Sequence, residues 1–259
     1  STVTWDMLTP SQKEIALRPF KPGEIMTVPA RAGAAKTTTM YHFVRSHPNQ
    51  KIRYFAFQKE VVLSAKKSAM QDLPNVQIET LDSIVFKYID GIKMTDKVTG
   101  EAHLADEEDV VDFYLSLRDE SGNHPYFGEI DTEDDDMHKV CEELSYLALE
   151  TVEEFCKGVD PVITGAHYVG PPFRQKEAIA KLARDMFQRF KIQMETQSAA
   201  VPNSGDNKSE LQLPVPMIVG ERLLAMRDDI ILEDSEIIIV DEAQDMNAPL
   251  IGFIFRHLP

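Results

Sequence analysis

Two adjacent carboxylates, Asp241 and Glu242, follow directly on four apolar β-formers, Ile237, Ile238, Ile239 and Val240. Four such residues in a row read as a strand buried on both faces, the mark of a central parallel strand. Charges at the carboxyl edge of such a strand sit where open α/β sheets bind ligands. There Asp241 could hold Mg²⁺ through water, and Glu242 could orient or deprotonate an attacking water. Gln244 and Asp245 complete an Asp-Glu-Ala-Gln-Asp run. The chemistry this points to is nucleoside triphosphate hydrolysis.

Such a site needs a phosphate cradle, and the sequence offers one near its other end. Residues 24–28 are a short strand candidate that runs into Pro29-Ala30-Arg31-Ala32-Gly33-Ala34-Ala35-Lys36-Thr37-Thr38-Thr39. A helical pattern through Met40, Phe43 and Val44 follows and stops near Pro48. Strand, small-residue loop, Lys-Thr and helix form the context of a P-loop. Amides of Ala32, Gly33, Ala34, Ala35 and Thr38 would wrap phosphate oxygens at the helix N-terminus. Lys36 would neutralise the β- and γ-phosphates, and the Thr37 hydroxyl would ligate Mg²⁺. The usual pattern has glycine where this chain has Ala30 and Ala35.

Taken together these segments resemble the UvrD/Rep-type superfamily 1A DNA helicases, and the F-box DNA helicase family most closely. In that family Ala30 is an ordinary replacement, so Ala35 is the clear departure. The resemblance extends to Leu8-Thr9-Pro10-Ser11-Gln12, similar to the Q motif, in which Gln12 would read the adenine edge. Tyr54-Phe55-Ala56-Phe57-Gln58-Lys59 resembles motif Ia, and Glu79-Thr80-Leu81-Asp82-Ser83 resembles motif Ib. This implies single-stranded DNA contacts at Phe57, Gln58, Lys59, Thr80 and Ser83. Asp82 stands where the family has histidine, and its charge should weaken DNA contact. At Ala35, a backbone with positive φ would cost an alanine about 1–2 kcal/mol.

The resemblance implies ATP and Mg²⁺ as ligands, with Lys36, Glu242 and Gln244 catalytic. It also implies a second RecA-like domain, carrying an arginine for the γ-phosphate, which these 259 residues do not include. A single lobe could bind nucleotide but not translocate. The alternative is a helicase-derived interaction module with weak or no ATPase, binding a protein partner through an acidic helical insertion. An intracellular location is expected, nuclear if the organism is eukaryotic.

The elements that must position these residues follow from pattern and charge. The expected architecture is a RecA-like P-loop NTPase domain of α/β class, with parallel strands at 24–28, 52–57, 76–80 and 236–240. A mostly helical subdomain at 93–212 would interrupt it, leaving 1–92 and 213–259 as the two parts of the core. Within the insertion, Val110, Val111, Tyr114 and Leu117 recur at helical spacing, as do Val140, Leu144, Leu147, Val152 and Phe155. A third helix carries Ile179, Leu182, Met186, Phe187 and Phe190, and 197–210 reads as a flexible loop. Residues 101–160 hold 20 acidic against three basic side chains, so the net charge of −16 is concentrated there. Lys59, Lys66 and Lys67 would border the DNA path, and Arg174, Lys176, Lys181, Arg184, Arg189 and Lys191 form one further stretch able to meet phosphates. No apolar run approaches the roughly 20 residues of a membrane span, and no secretory leader opens the sequence. Cys141 and Cys156 lie among acidic residues, a weak case for a disulfide. For His42 and His47 a surface or helix-end place is expected.

Overall fold

The computed structural model describes residues 4–21, 24–28, 35–56, 69–96, 99–130, 135–172, 175–199, 212–230, 232 and 235–257. Its described helices are α1 (Pro10–Leu17), α2 (Lys36–Ser46), α3 (Leu81–Tyr88), α4 (Glu107–Ser116), α5 (Asp135–Lys157), α6 (Lys176–Ala199), α7 (Met217–Ala225) and α8 (Ala248–Arg256). The strands are β1 (Ile52–Ala56), β2 (Val76–Thr80), β3 (Lys93–Thr95), β4 (Ala102–Leu104) and β5 (Ile237–Asp241). The protein is therefore mixed α/β, with a small three-stranded parallel sheet and eight helices among the described residues. It divides into two compact units: unit 1 is Ser1–Ser83, Asp229–Met246 and Phe253–Pro259, and unit 2 is Ile84–Asp228 with Asn247–Gly252.

Unit 1 holds the parallel sheet, in the order β2-β1-β5. All five residues of β1 are buried, including Tyr54 and Phe55 with no exposure, so β1 is the central strand. This corrects the expectation for 237–240. In β5 only Ile237 is buried, because the strand pairs with β1 on one side and has no second partner among the described residues. Residues 24–28 also form no strand. Prolines 22 and 29 flank them in sequence and bring no N–H to a ladder, while Glu24 is tied back to α1 through Arg18 at 2.8 Å. Phe43, Val44, Ile52, Tyr54, Ala56, Met70, Ile78 and Ile237 form the core. Asn75 fastens the turn between α2 and β1, donating to the carbonyls of His47 at 2.9 Å and Gln50 at 3.1 Å. His42 is buried edge-on to Trp5 and Tyr41, not on the surface, and His47 caps the end of α2.

Unit 2 is mostly helical, but after α3 it carries an antiparallel β3–β4 pair that alternation of apolar residues did not announce. Helix α5 packs against α4, α6 and α7. Ile179, Leu182, Met186, Phe187 and Phe190 all lie on the buried face of α6. On α5 the buried stripe is Cys141, Ser145, Ala148, Leu149, Val152, Phe155 and Cys156, whereas Val140 is 53% exposed. Small residues stand on that face beside Leu149, Val152 and Phe155, and Ser145 satisfies its hydroxyl on the Cys141 carbonyl at 2.8 Å. On α4, Leu115 is buried, whereas Leu117 lies just past the helix end and is half-buried. Both cysteines are free thiols in the interior. Residues 197–199 extend α6, and the rest of the expected 197–210 loop lies outside the described residues. Among the described residues no helix is long and apolar enough to cross a membrane.

Candidate nucleotide-binding site

The carboxyl end of β5 and the first turn of α2 meet in unit 1. Ala35 precedes α2 with φ 55° and ψ 36°, a left-handed conformation that an L-residue adopts at a cost. Its carbonyl receives the Thr39 amide at 3.0 Å and the Thr39 hydroxyl at 3.2 Å, so the helix begins at once. Lys36 is therefore the first helical residue, and Thr37 and Thr38 complete the turn whose amides have no intrahelical partners. Such a turn carries partial positive charge and attracts anions.

Across 206 residues of sequence, the Lys36 ammonium pairs with Glu242, and it stands 3.8 Å from Asp241 Oδ1. Donation to Glu242, aided by the Asp241 charge, holds the lysine above its ordinary pKa against the opposing effect of burial. The same bond, with a second from the Gln244 amide, holds the Glu242 carboxyl below its ordinary value. Glu242 itself sits at φ 54°, which turns the chain sharply out of β5 and directs Asp241 and Glu242 from successive residues to one ammonium. Asp245 closes the following turn by donating its amide to the Glu242 carbonyl at 2.9 Å.

Asp241 is the more enclosed acid, its side chain 10% exposed against 29% for Glu242. Its Oδ1 accepts the Glu242 amide at 3.0 Å, and its Oδ2 accepts the Tyr54 hydroxyl. Burial, and then the bond to Asp241, push the Tyr54 phenol up in pKa, so it remains a donor. Sequence reasoning did not assign Tyr54. The available signal was the lone hydroxyl-bearing residue of β1, two residues before its end.

The other expected residues divide. Gln12 is the third residue of α1, and with Thr9 it forms a capping box, its Oε1 accepting the Thr9 amide at 2.8 Å. That bond orients the side chain, and α1 packs on α2. Thr80 and Ser83 bond to one another at the start of α3, the Ser83 amide on Thr80 Oγ1 at 3.1 Å and the Ser83 hydroxyl on the Thr80 carbonyl. Asp82 is half-buried, and desolvation raises its carboxyl pKa. Ala32, Gly33, Ala34, Phe57, Gln58, Lys59, Lys66 and Lys67 lie outside the described residues. Of the basic stretch in unit 2, Arg184 donates to the Ile163 carbonyl at 2.6 Å and Arg189 pairs with Asp185 at 3.0 Å. Those two are committed to internal contacts, which corrects their expected availability to phosphates.

No group of three His, Cys, Asp or Glu side chains among the described residues could by itself enclose a metal ion. Asp241 offers a single carboxylate at the carboxyl end of β5. That suits Mg²⁺, which keeps most of its waters and takes one or two protein ligands plus substrate phosphates.

Comparison with known proteins agrees at a coarse level. Over 80 residues, 30% of its length, the chain is 38% identical to F-box DNA helicase protein 1 of Schizosaccharomyces pombe (strain 972 / ATCC 24843). The matched stretch is 9% of that protein, so the chain spans only a small part of the relative it matches. No family model and no solved structure matches the chain. The likeness supports a helicase-related protein and goes no finer.

Proposed function

We propose that unit 1 is the ATP-binding lobe of a helicase-related ATPase of RecA-like type, completed by a second lobe to hydrolyse ATP and move along single-stranded DNA. The observation that carries this reading is the ion-paired meeting of Lys36 with Asp241 and Glu242, from segments two hundred residues apart. An ammonium already surrounded by carboxylates at a helix N-terminus is placed to exchange one of them for a phosphate. Lys36 and the first-turn amides of α2 bind the β- and γ-phosphate oxygens, and Gln12 reads the adenine edge. Asp241 and Thr37 are the residues that would hold Mg²⁺, which when bound neutralises phosphate charge. Once Lys36 turns to phosphate, Glu242 is released to orient the hydrolytic water and take its proton. Gln244, bonded to Glu242, reports whether that exchange has occurred. Phe57, Gln58, Lys59, Thr80 and Ser83 form the DNA-facing edge in this reading.

Titration with a fluorescent ATP analogue and Mg²⁺ tests it. Binding in the micromolar range is expected for the wild type. Lys36→Ala should lose binding by at least about tenfold, since a hydrogen bond to a charged group contributes about 1.5–3 kcal/mol. Glu242→Gln should retain affinity while turnover in the two-lobed protein stops. Absence of nucleotide binding in the wild type would refute the proposal in favour of an interaction module acting through the acidic part of unit 2.

A further inference from the structure

We infer that Tyr54 is a positioning residue for the magnesium-binding carboxylate, its phenol fixing Asp241 so that Oδ1 is the oxygen offered to the cation. The inference rests on the reading of unit 1 as a Mg²⁺–ATP site.

Strand register brings the two residues together. Ala56 of β1 pairs with Asp241 of β5, and Tyr54 lies two residues earlier on β1. Alternate residues of a strand share a face, so Tyr54 and Asp241 are diagonal neighbours on one side of the sheet. Tyr54 has no exposed surface and is packed into the core with Phe43, Val44, Ile52, Met70 and Ile78. A phenol in such surroundings costs stability unless its hydroxyl is bonded. A phenylalanine would fill the same space without that demand. The hydroxyl instead reaches the strand end and donates to Asp241 Oδ2.

This bond divides the carboxylate. With Oδ2 held from the core side, Oδ1 takes the Glu242 amide at 3.0 Å and faces Lys36 at 3.8 Å. That 3.8 Å gap matters, because an Asp241 free to rotate would close on the ammonium. Its Oδ1 would then no longer face the cation, while Lys36 stays ion-paired through Glu242 as before. Tyr54 keeps the carboxylate from doing so. Outer partners of ligating carboxylates commonly change metal affinity by about 10–100-fold when removed.

The test is a titration of the whole chain with a fluorescent ATP analogue, first in EDTA and then with increasing Mg²⁺. In Tyr54→Phe, affinity in EDTA should match the wild type, while the Mg²⁺ needed for half of the gain rises by about tenfold or more. In the Asp241→Asn background the same change should have no further effect. Thermal unfolding checks the fold of each variant. If Tyr54→Phe does not fold, Tyr54→Met removes the hydroxyl with an adaptable side chain. Superimposable Mg²⁺ titrations for wild type and Tyr54→Phe would overturn the inference and leave the nucleotide site standing. Equal loss with and without Mg²⁺ would also overturn it, by showing a purely structural role. A wild type that binds no nucleotide at all would remove both.

Discussion

The two units handle left-handed backbone in opposite ways. In unit 2 every described residue with positive φ is a glycine: Gly91, Gly100, Gly122 and Gly128. In unit 1 both such residues are non-glycine, Ala35 and Glu242, and they stand at the two ends of the Lys36 ion-pair cluster. Glycine in a turn is conformational economy, since no Cβ opposes the geometry. A side chain held at positive φ means that surrounding structure imposes the conformation, and such positions gather at functional sites. The contrast separates a unit whose turns serve its fold from one whose turns serve its side chains.

The contrast breaks most sharply at Gly91, the unit 2 turn where space as well as φ requires glycine. Its φ is +90°, and a Cβ there would fall 2.5 Å from the Leu213 carbonyl oxygen and 3.0 Å from Val215. The Gly91 carbonyl also receives the Val215 amide at 2.9 Å, while Gln193 bonds both the amide and the carbonyl of Leu213. The returning segment therefore cannot retreat without losing hydrogen bonds. Gly91→Ala should destabilise the protein by about 3 kcal/mol, read as a lowered urea midpoint by circular dichroism. A Gly122→Ala control, at φ +81° with nothing within 4 Å, should lose only the backbone part, about 1 kcal/mol. Equal losses at the two positions would show that crowding is irrelevant at Gly91.

Much of this was legible in the sequence, and the failures have a common cause. Periodicity found the buried face of α6 because large apolar residues define it. It found the face of α5 only in part: Val152 and Phe155 are buried, but Cys141, Ser145 and Ala148 also mark the interior and Val140 points out. Hydrophobicity was read, but closeness of packing depends on side-chain size. The apolar Ile-Ile-Ile-Val run implies a central strand, yet its place at the edge of the sheet among the described residues depends on which segments pair, and that is not a property of the run. At the candidate site, Lys36, Asp241 and Glu242 were legible because their residue types have few other uses together. Tyr54 was not, since its part depends on register with a strand nearly two hundred residues away.

Within unit 2, His124 supplies a pH-dependent counterpart to the ionic cluster of unit 1. Its Nδ1 accepts the amides of Tyr126 at 3.1 Å and Phe127 at 3.0 Å, and its Nε2 donates to the Tyr114 carbonyl at 2.9 Å. Only the neutral ring can do both. Burial lowers its pKa, with Arg118 and Arg189 adding to the effect and the Tyr114 carbonyl and Asp185 opposing it. Because the folded value is depressed, the unfolded chain takes up the proton first. Stability is then fully present above the ordinary histidine value and declines as pH falls through it, by at most about 1.4 kcal/mol per pH unit. His103, raised by its bond to Asp109, has the opposite sign and weakens as pH rises. Hydrogen exchange resolved at the Tyr126 and Phe127 amides separates the two. Their protection, corrected for intrinsic rates, should fall below about pH 6.5, and constant protection down to pH 5 would contradict the assigned ring state.

The smallest expected effect is the most direct probe of the comparison. Ala35→Gly gives unit 1 the residue that unit 2 uses at every described left-handed turn. Relief of the alanine at φ 55° is worth about 1–2 kcal/mol, and the added freedom of the unfolded chain returns about 0.4–1 kcal/mol. A net gain of about 0.5–1 kcal/mol, or about 1–4 °C in melting temperature, should remain. Affinity for the ATP analogue should rise with it, because the loop next to Lys36 would no longer carry a methyl group. Glu242→Gly offers the same backbone relief but discards the bonds to Lys36 and Gln244, so stability should change little while the lysine keeps only Asp241, at 3.8 Å, as a carboxylate neighbour. If Ala35→Gly lowers affinity instead, the alanine is holding the first turn of α2 in its binding geometry, and the strain in unit 1 is then part of how Lys36 is aimed.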